Sequence, residues 1–462
     1  MTSTPTAPRI AIIGAGPSGF YAAEALQKAL PDVAIDLFDR LPTPFGLVRG
    51  GVAPDHPKIK SVTRIYDRIA SHPGFRFFGH VTIGQDITIE ELKSAYHAVI
   101  IATGAQTDRQ LEIPGEQLPG SHAATDFVGW YNGHPDFADR TFDLTQREAA
   151  VVGLGNVAID VTRILARDAV TLAPTDLVSP ALRALHDSRI EAVHIIGRRG
   201  PVQAACTTPE LRELGELDGV DAIVDPADLV LDPLSAAHLA TGDDRTATKN
   251  MEIFRRWADH GTTRARRRIV FHFAASPVEI LGESQVQGLR IVRNDLVPDD
   301  RGSVRAVPTD RFETLDIGLV FRSVGYRGVP LDGVPFDYGR GIIPNAGGRV
   351  VDDGDQTVPG LYVCGWIKRG PSGVIGTNKS CAADTVAELL EDVTAGVIDT
   401  ARRPDTSADG LLAARGVRVV DWAGWQAIDL AEVAAGAPAG RPREKLISVS
   451  DMLDAVEWGK HE

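Results

Sequence analysis

Twice in this chain a short β-branched run stops at a glycine cluster and passes directly into a helical pattern. Arg9–Ile13 (RIAII) meets Gly14-Ala15-Gly16-Pro17-Ser18-Gly19, and residues 20–30 follow with helical spacing and helix-forming alanines. Residues 149–152 meet Gly153-Leu154-Gly155-Asn156-Val157-Ala158 in the same way. A strand, a turn stripped of side chains and a helix start place backbone N–H donors where a pyrophosphate can approach closely. Two such turns imply two dinucleotide sites on one polypeptide. In the first, Gly14, Gly16 and Gly19 supply the close approach. Asp39, at the end of a second strand, Ala34–Phe38, is placed to accept hydrogen bonds from an adenosine ribose. The alternative is a glycine turn with no ligand.

The second turn ends in Ala158, where a third glycine is common. Its discriminating feature lies downstream, where residues 193–196 run into Gly197-Arg198-Arg199-Gly200. Two guanidinium groups stand where an acidic residue would select NAD, and arginine forks bind phosphate bidentately, so the pair favours the 2′-phosphate of NADP. A solvated Arg-Arg turn is the alternative.

Further apolar strands are expected at 98–102, 192–196, 317–323 and 360–364, with helical stretches between several of them, an order that argues for parallel sheets covered on both faces. At 462 residues the chain exceeds what one core usually organises. Because 360–390 again runs strand, glycine, helix, the first domain is read as interrupted: residues 1–105 and 326–462 on either side of an inserted 106–325. Low-complexity sequence is confined to an alanine- and aspartate-rich stretch near 218–244. No apolar run approaches the roughly 20 residues that span a bilayer. Met1 to Pro8 lacks the basic and apolar segments of a signal peptide, so a cytoplasmic location is expected. A net charge of −14 opposes non-specific binding to nucleic acid or acidic lipid. Three scattered cysteines, Cys206, Cys364 and Cys381, are too few for a disulfide framework, a metal site or an intrinsic cluster, so redox work requires a bound cofactor.

Five longer segments, in order, resemble the adrenodoxin reductase family, whose bacterial NADPH–ferredoxin reductases look nearest. They are residues 45–57 (FGLVRGGVAPDHP), 153–160, 197–201, 210–214 (ELREL) and 365–375 (GWIKRGPSGVI). The likeness runs from residue 9 to about 395, and the tail around Val420-Asp421-Trp422 and Gly440-Arg441-Pro442-Arg443 continues it. It implies an α/β fold of two Rossmann-like nucleotide-binding domains, glutathione-reductase-like, with an interrupted FAD domain. The activity implied is hydride transfer from NADPH to FAD, then delivery of single electrons to a small acidic iron–sulfur ferredoxin. Carried over by motif, Ser18, Asp39, Leu47, Ile83, Trp366, Gly373, Val374 and Ile375 would contact FAD. Leu154, Gly155, Asn156, Val157, Arg198, Arg199 and Glu210 would contact NADPH, with Arg109 a further candidate and Gly373 lying between both cofactors. Asp39 departs from the family, which usually has Glu there.

Residues 373–376 precede a helical stretch, 379–390, whose positive end would stabilise negative charge on reduced flavin. Trp366, taken alone, is more often a core residue than a cofactor contact, and only the resemblance points it to the flavin. Hydride transfer asks the protein mainly for positioning, while proton movement makes a nearby imidazole and carboxylates useful. His56 and Asp160 resemble the family's pair beside the flavin, and Glu213 a carboxylate near the nicotinamide. The alternatives are a turn histidine held by prolines and ordinary helix-surface acids. No metal is expected. An acidic partner needs a basic patch, for which Arg245, Lys249, Arg255 and Arg256 on an expected helix, with Arg264, Arg266, Arg267 and Arg268 after it, are the candidates; a solvated helix face is the alternative. A disulfide reductase would need paired cysteine spacing that is absent. A flavin monooxygenase or an NADPH-binding redox sensor would share the nucleotide motifs.

Overall fold

The structure, a computed structural model, describes residues 8–456 apart from 264, 301, 403 and 405. The described chain divides into two compact units, one formed by residues up to 107, 132–135 and from 325 onward, the other by 108–131 and 136–324.

The first unit is built on a seven-stranded sheet. Arg9–Ile13 is central, flanked by Ala34–Phe38 then Phe75–Phe78 on one side and by Ala98–Ile101 then Thr357–Val363 on the other, all parallel. Arg349–Val351 and Asn345–Ala346 complete it as antiparallel edge strands. Its central strands are mainly apolar because both faces are covered. Ile10, Ile12 and Ile100 enter one core cluster, which includes residues of the helices Pro17–Ala29 and Thr377–Thr394. Ala11, Ile13 and Ile101 enter another on the opposite face. The first helix begins at Pro17, three residues before its apolar pattern does, because proline at the first helical position loses no hydrogen bond there.

The second unit carries a six-stranded parallel sheet in the order Ser121–Ala123, Leu319–Arg322, Glu148–Val152, Ala192–Ile196, Arg267–His272, Val220–Val224. A separate antiparallel meander follows, Ala275–Leu281, Gly288–Pro298 and Val304–Leu315. The alternating strand–helix reading of the sequence had no place for it. Its register slips between Pro277 and Glu279 and again between Val292 and Asn294, which breaks the period-2 pattern a sequence reader would follow. No helix among the described residues is long and apolar enough to cross a membrane.

Candidate functional site

In the first unit, Gly14 turns the chain at φ +107°, where a Cβ would lie 2.5 Å from the Ala102 carbonyl oxygen. Gly16 then caps the helix Pro17–Ala29 without any side-chain hydrogen bond. Some helices of the chain do carry side-chain caps: Thr88 and Glu91 form a capping box, and Asp244 and Asp421 accept from the first turns of their helices. The first-turn N–H groups behind Gly16 have no side-chain acceptor from the cap, as a pyrophosphate-binding turn requires. Asp39 is partly buried, and its carboxylate accepts from Ala15 N at 2.9 Å and from Leu41 N at 3.0 Å. Burial raises its pKa against those two donors. It therefore shapes the turn as well as facing it.

Ser18 and the carboxyl-terminal motif meet. Ser18 is buried, donates to Asn378 Oδ1 at 3.2 Å, and occupies the space a side chain on Gly365 would need. Trp366 donates from its indole Nε1 to the Ser372 carbonyl at 3.2 Å, and Arg369 closes on the same carbonyl while reaching Asn378 Oδ1 at 2.9 Å. Trp366 thus folds the loop that carries Gly373 and Val374. Val374 is half exposed, Ile375 packs on the core, and the helix Thr377–Thr394 starts on Gly376 with no side-chain cap. Leu47, 39% exposed, opens the short helix Leu47–Gly50. Ile83 packs against the second core cluster of this unit. His56 is buried and caps the short helix Pro57–Lys60, its carbonyl accepting from Ile59 N at 3.1 Å.

In the second unit, Gly155 starts the helix Asn156–Ala166, again without a side-chain cap, and a Cβ there would meet nothing within 4 Å. Open space at Gly155, and a glycine helix start without a side-chain cap in each unit, fit a dinucleotide pyrophosphate in each. Leu154 packs over Gly197, so the two glycine-bearing turns are in contact. Asn156 Oδ1 accepts from Thr207 N at 2.8 Å and ties the turn to the segment before the helix Thr208–Leu214.

Arg198 is exposed and Arg199 half buried, and neither has an ion-pair partner among the described residues. Burial and the charge of Arg198 both lower the pKa of Arg199. Their carbonyls are nevertheless pinned, Arg198 O by Asn294 Nδ2 at 2.8 Å and Arg199 O by Ala274 N at 2.9 Å. A fixed backbone thus presents two uncompensated cations, an arrangement that binds phosphate. Arg109 is exposed, with no polar contact to its side chain among the described residues.

The sequence reading missed Arg163. This arginine has no exposed surface, yet its Nη2 lies 2.7 Å from Asp160 Oδ1 and its Nη1 lies 3.4 Å from Glu210 Oε2 and 3.7 Å from Glu213 Oε2. Asp160 and Glu213 are therefore not ordinary helix-surface acids, since both face one buried cation together with Glu210. The signal was an arginine three residues after Asp160 within an otherwise apolar helix stripe.

The basic cluster divides. Arg245, Lys249, Arg255 and Arg256 are all exposed on the helix Arg245–His260, as expected. Arg267 is not a free surface cation: it bonds the carbonyls of Ala166 and Arg167, at 3.0 and 2.6 Å, and so closes the end of the helix Asn156–Ala166. Arg268 lies 3.5 Å from Glu148, Arg266 is exposed, and Arg264 lies outside the described residues.

Two Rossmann-like units, each with an uncapped glycine turn, and a bare arginine pair after the second define a two-dinucleotide oxidoreductase. Residues 8–214 match the family model described as pyridine nucleotide-disulphide oxidoreductase. The chain is 50% identical to the NADPH-ferredoxin reductase FprA of Mycobacterium tuberculosis, over 96% of its own length and 98% of that protein. It is 41% identical to the mitochondrial NADPH:adrenodoxin oxidoreductase of Arabidopsis thaliana, over 97% and 95%. A solved structure of Mycobacterium tuberculosis FprA in complex with NADPH superposes with a TM-score of 0.92 at 48% identity, covering 97% of this chain and 99% of that one. The chain belongs to the NADPH–ferredoxin reductase family of the adrenodoxin reductase type.

Proposed function

We propose that the chain is an NADPH–ferredoxin oxidoreductase that works with bound FAD. Arg198 and Arg199 carry the reading, because two uncompensated guanidiniums on a pinned loop beyond a dinucleotide turn select a nucleotide with an additional phosphate. In this reading Gly155, Asn156, Val157 and Leu154 form the NADPH turn, with Glu210 and Arg109 contributing at its margins. Gly14, Gly16, Ser18, Gly19 and Asp39 form the FAD turn, and Leu47, Ile83, Trp366, Gly373, Val374 and Ile375 shape the rest of that site. When bound, FAD accepts the hydride of NADPH and gives the electrons up one at a time. His56 takes up and releases a proton at its imidazole, tuning electron flow without being indispensable. Asp160 and Glu213 hold negative charge in fixed positions around Arg163.

Disulfide chemistry fits these residues poorly. Cys206, Cys364 and Cys381 are buried and free, and burial pushes the Cys206 thiol up to about 12 and raises Cys364 as well. Neither is poised as a thiolate.

The acceptor in this reading is a small acidic iron–sulfur ferredoxin that docks on Arg245, Lys249, Arg255 and Arg256. Their common exposure supports it, although Glu252 and Asp259 are exposed on the same helix and dilute the patch. Ferredoxin reduction should therefore slow as salt rises through the range where the screening length falls below about 10 Å. Rates indifferent to salt count against this docking face.

Anaerobic titration of the purified protein with NADPH, followed by mixing with ferredoxin, tests the whole reading. Flavin absorbance should bleach stoichiometrically and return as ferredoxin is reduced. A colourless protein that takes up no FAD, or flavin that stays oxidised under excess NADPH, overturns it.

A further inference from the structure

We infer that the carboxyl-terminal segment 421–446 is a clamp that fixes the loop 45–51 beside the first glycine turn and so sets how tightly FAD is held. The inference rests on the FAD reading above, and concerns only the first unit.

Loop 45–51 is held in a conformation its own sequence does not favour. Phe45 sits at φ +83°, a left-handed region that a phenylalanine occupies only when its surroundings insist. Its N–H donates to the Ala15 carbonyl at 2.7 Å, and Gly46 packs so closely on Gly16 that a Cβ would lie 2.9 Å from the Gly16 Cα. The loop is therefore one wall of the turn that would receive the pyrophosphate. A change in Phe45 is a change at Ala15 and Gly16.

The surroundings that insist come from the end of the chain. The helix Trp422–Gly436 sets Trp425 edge-on to the Phe45 ring at 5.5 Å and Trp422 at 6.2 Å. Two turns on, Glu432 has no exposed surface and takes Arg49 through both carboxylate oxygens, Arg49 Nη1 lying 2.8 Å from Oε2. Arg49 also lies over the Trp425 ring at 5.5 Å. Arg443 reaches Glu432 Oε2 at 3.1 Å and Asp429 at 2.5 Å, and Leu446 N donates to Glu432 Oε1 at 2.9 Å. Lys445, itself buried, donates to the Arg49 carbonyl at 3.3 Å and the Asn132 carbonyl at 3.0 Å. Both the side chain and the backbone of Arg49 are thus seized by the same segment. Burial raises the Glu432 pKa, but Arg49, the Leu446 N–H and Arg443 outweigh it and hold the carboxyl below its ordinary value.

A buried ion pair contributes little net stability compared with an apolar pair of the same volume; what it supplies is a fixed register. The effect to look for is accordingly on the loop and its cofactor, more than on the fold.

The test measures FAD release from the holoenzyme by the recovery of free-flavin fluorescence, with thermal unfolding of the apoprotein in parallel. Arg49→Met, which leaves Glu432 its Arg443 partner, should raise the FAD dissociation constant by about 10- to 100-fold, with Arg49→Lys intermediate. In Arg49→Met/Glu432→Met the apoprotein should regain its unfolding temperature while FAD release stays fast. Release unchanged in both Arg49→Met and Arg49→Lys overturns the clamp, as does a double variant that restores retention together with stability. Wild-type protein that holds no flavin overturns the FAD reading itself.

Discussion

Arg163 Nη2 lies 2.7 Å from Asp160 Oδ1, one turn apart on a helix that buries the arginine completely. With Glu210 and Glu213 on the other side of the guanidinium, three carboxylates share one cation. Arg163→Met leaves them facing each other without it, and should destabilise the protein by about 3–5 kcal/mol, with Arg163→Lys less severe. At temperatures where it remains folded, the variant should show altered NADPH kinetics. Unchanged unfolding temperature and unchanged kinetics would show that the acids need no such centre.

Arg198→Ala should remove a charge-assisted contact to the 2′-phosphate worth about 1.5–3 kcal/mol, raising the Michaelis constant for NADPH roughly 10- to 150-fold. The constant for NADH should barely move, since that nucleotide has no phosphate to lose. Equal effects on the two nucleotides would contradict the assignment.

His56→Ala should still permit flavin reduction by NADPH, because hydride transfer needs no proton donor. Its rate and pH profile should change. Complete loss of reduction in a variant that retains FAD would place the imidazole in the hydride step itself.

How much of this was visible in the sequence depends on the range of the interaction. The strands Arg9–Ile13, Ala34–Phe38 and Ala192–Ile196 were legible to the residue, because strands buried on both faces leave a mainly apolar signature even where Asp36 or His194 interrupts it. The strand–glycine–helix turns were legible because their parts are adjacent in the chain. Arg163 was not, since its partners Glu210 and Glu213 are brought to it only by packing between helices. The tie from Arg49 to Glu432 spans 383 positions and leaves no pattern at either end. Arg267 looked like one more basic surface residue until the structure placed it on the carbonyls of Ala166 and Arg167.

His272 offers a pH test of the second unit. It is buried, Nε2 lies 2.9 Å from His194 Nδ1, and His194 Nε2 lies 2.8 Å from Glu148. Burial, with His194 and Arg293 nearby, pushes the His272 pKa from 6.5 down to about 3. The folded chain refuses a proton that the unfolded chain accepts below pH 6.5, so stability should fall as pH drops from there and level off near 3. His272→Gln should flatten that decline. Identical acid profiles for the two proteins in chemical denaturation would remove His272 from the account.

The interrupted sheet leaves one of its strands waiting for its partner during synthesis. Ala98–Ile101 pairs with Thr357–Val363, so the first four parallel strands emerge with an open edge that stays open while the whole inserted unit is made, on the order of tens of seconds at ordinary elongation rates. Nascent chains halted before residue 357 should therefore engage chaperones and resist release, and those extended past residue 446 should be the first able to retain flavin.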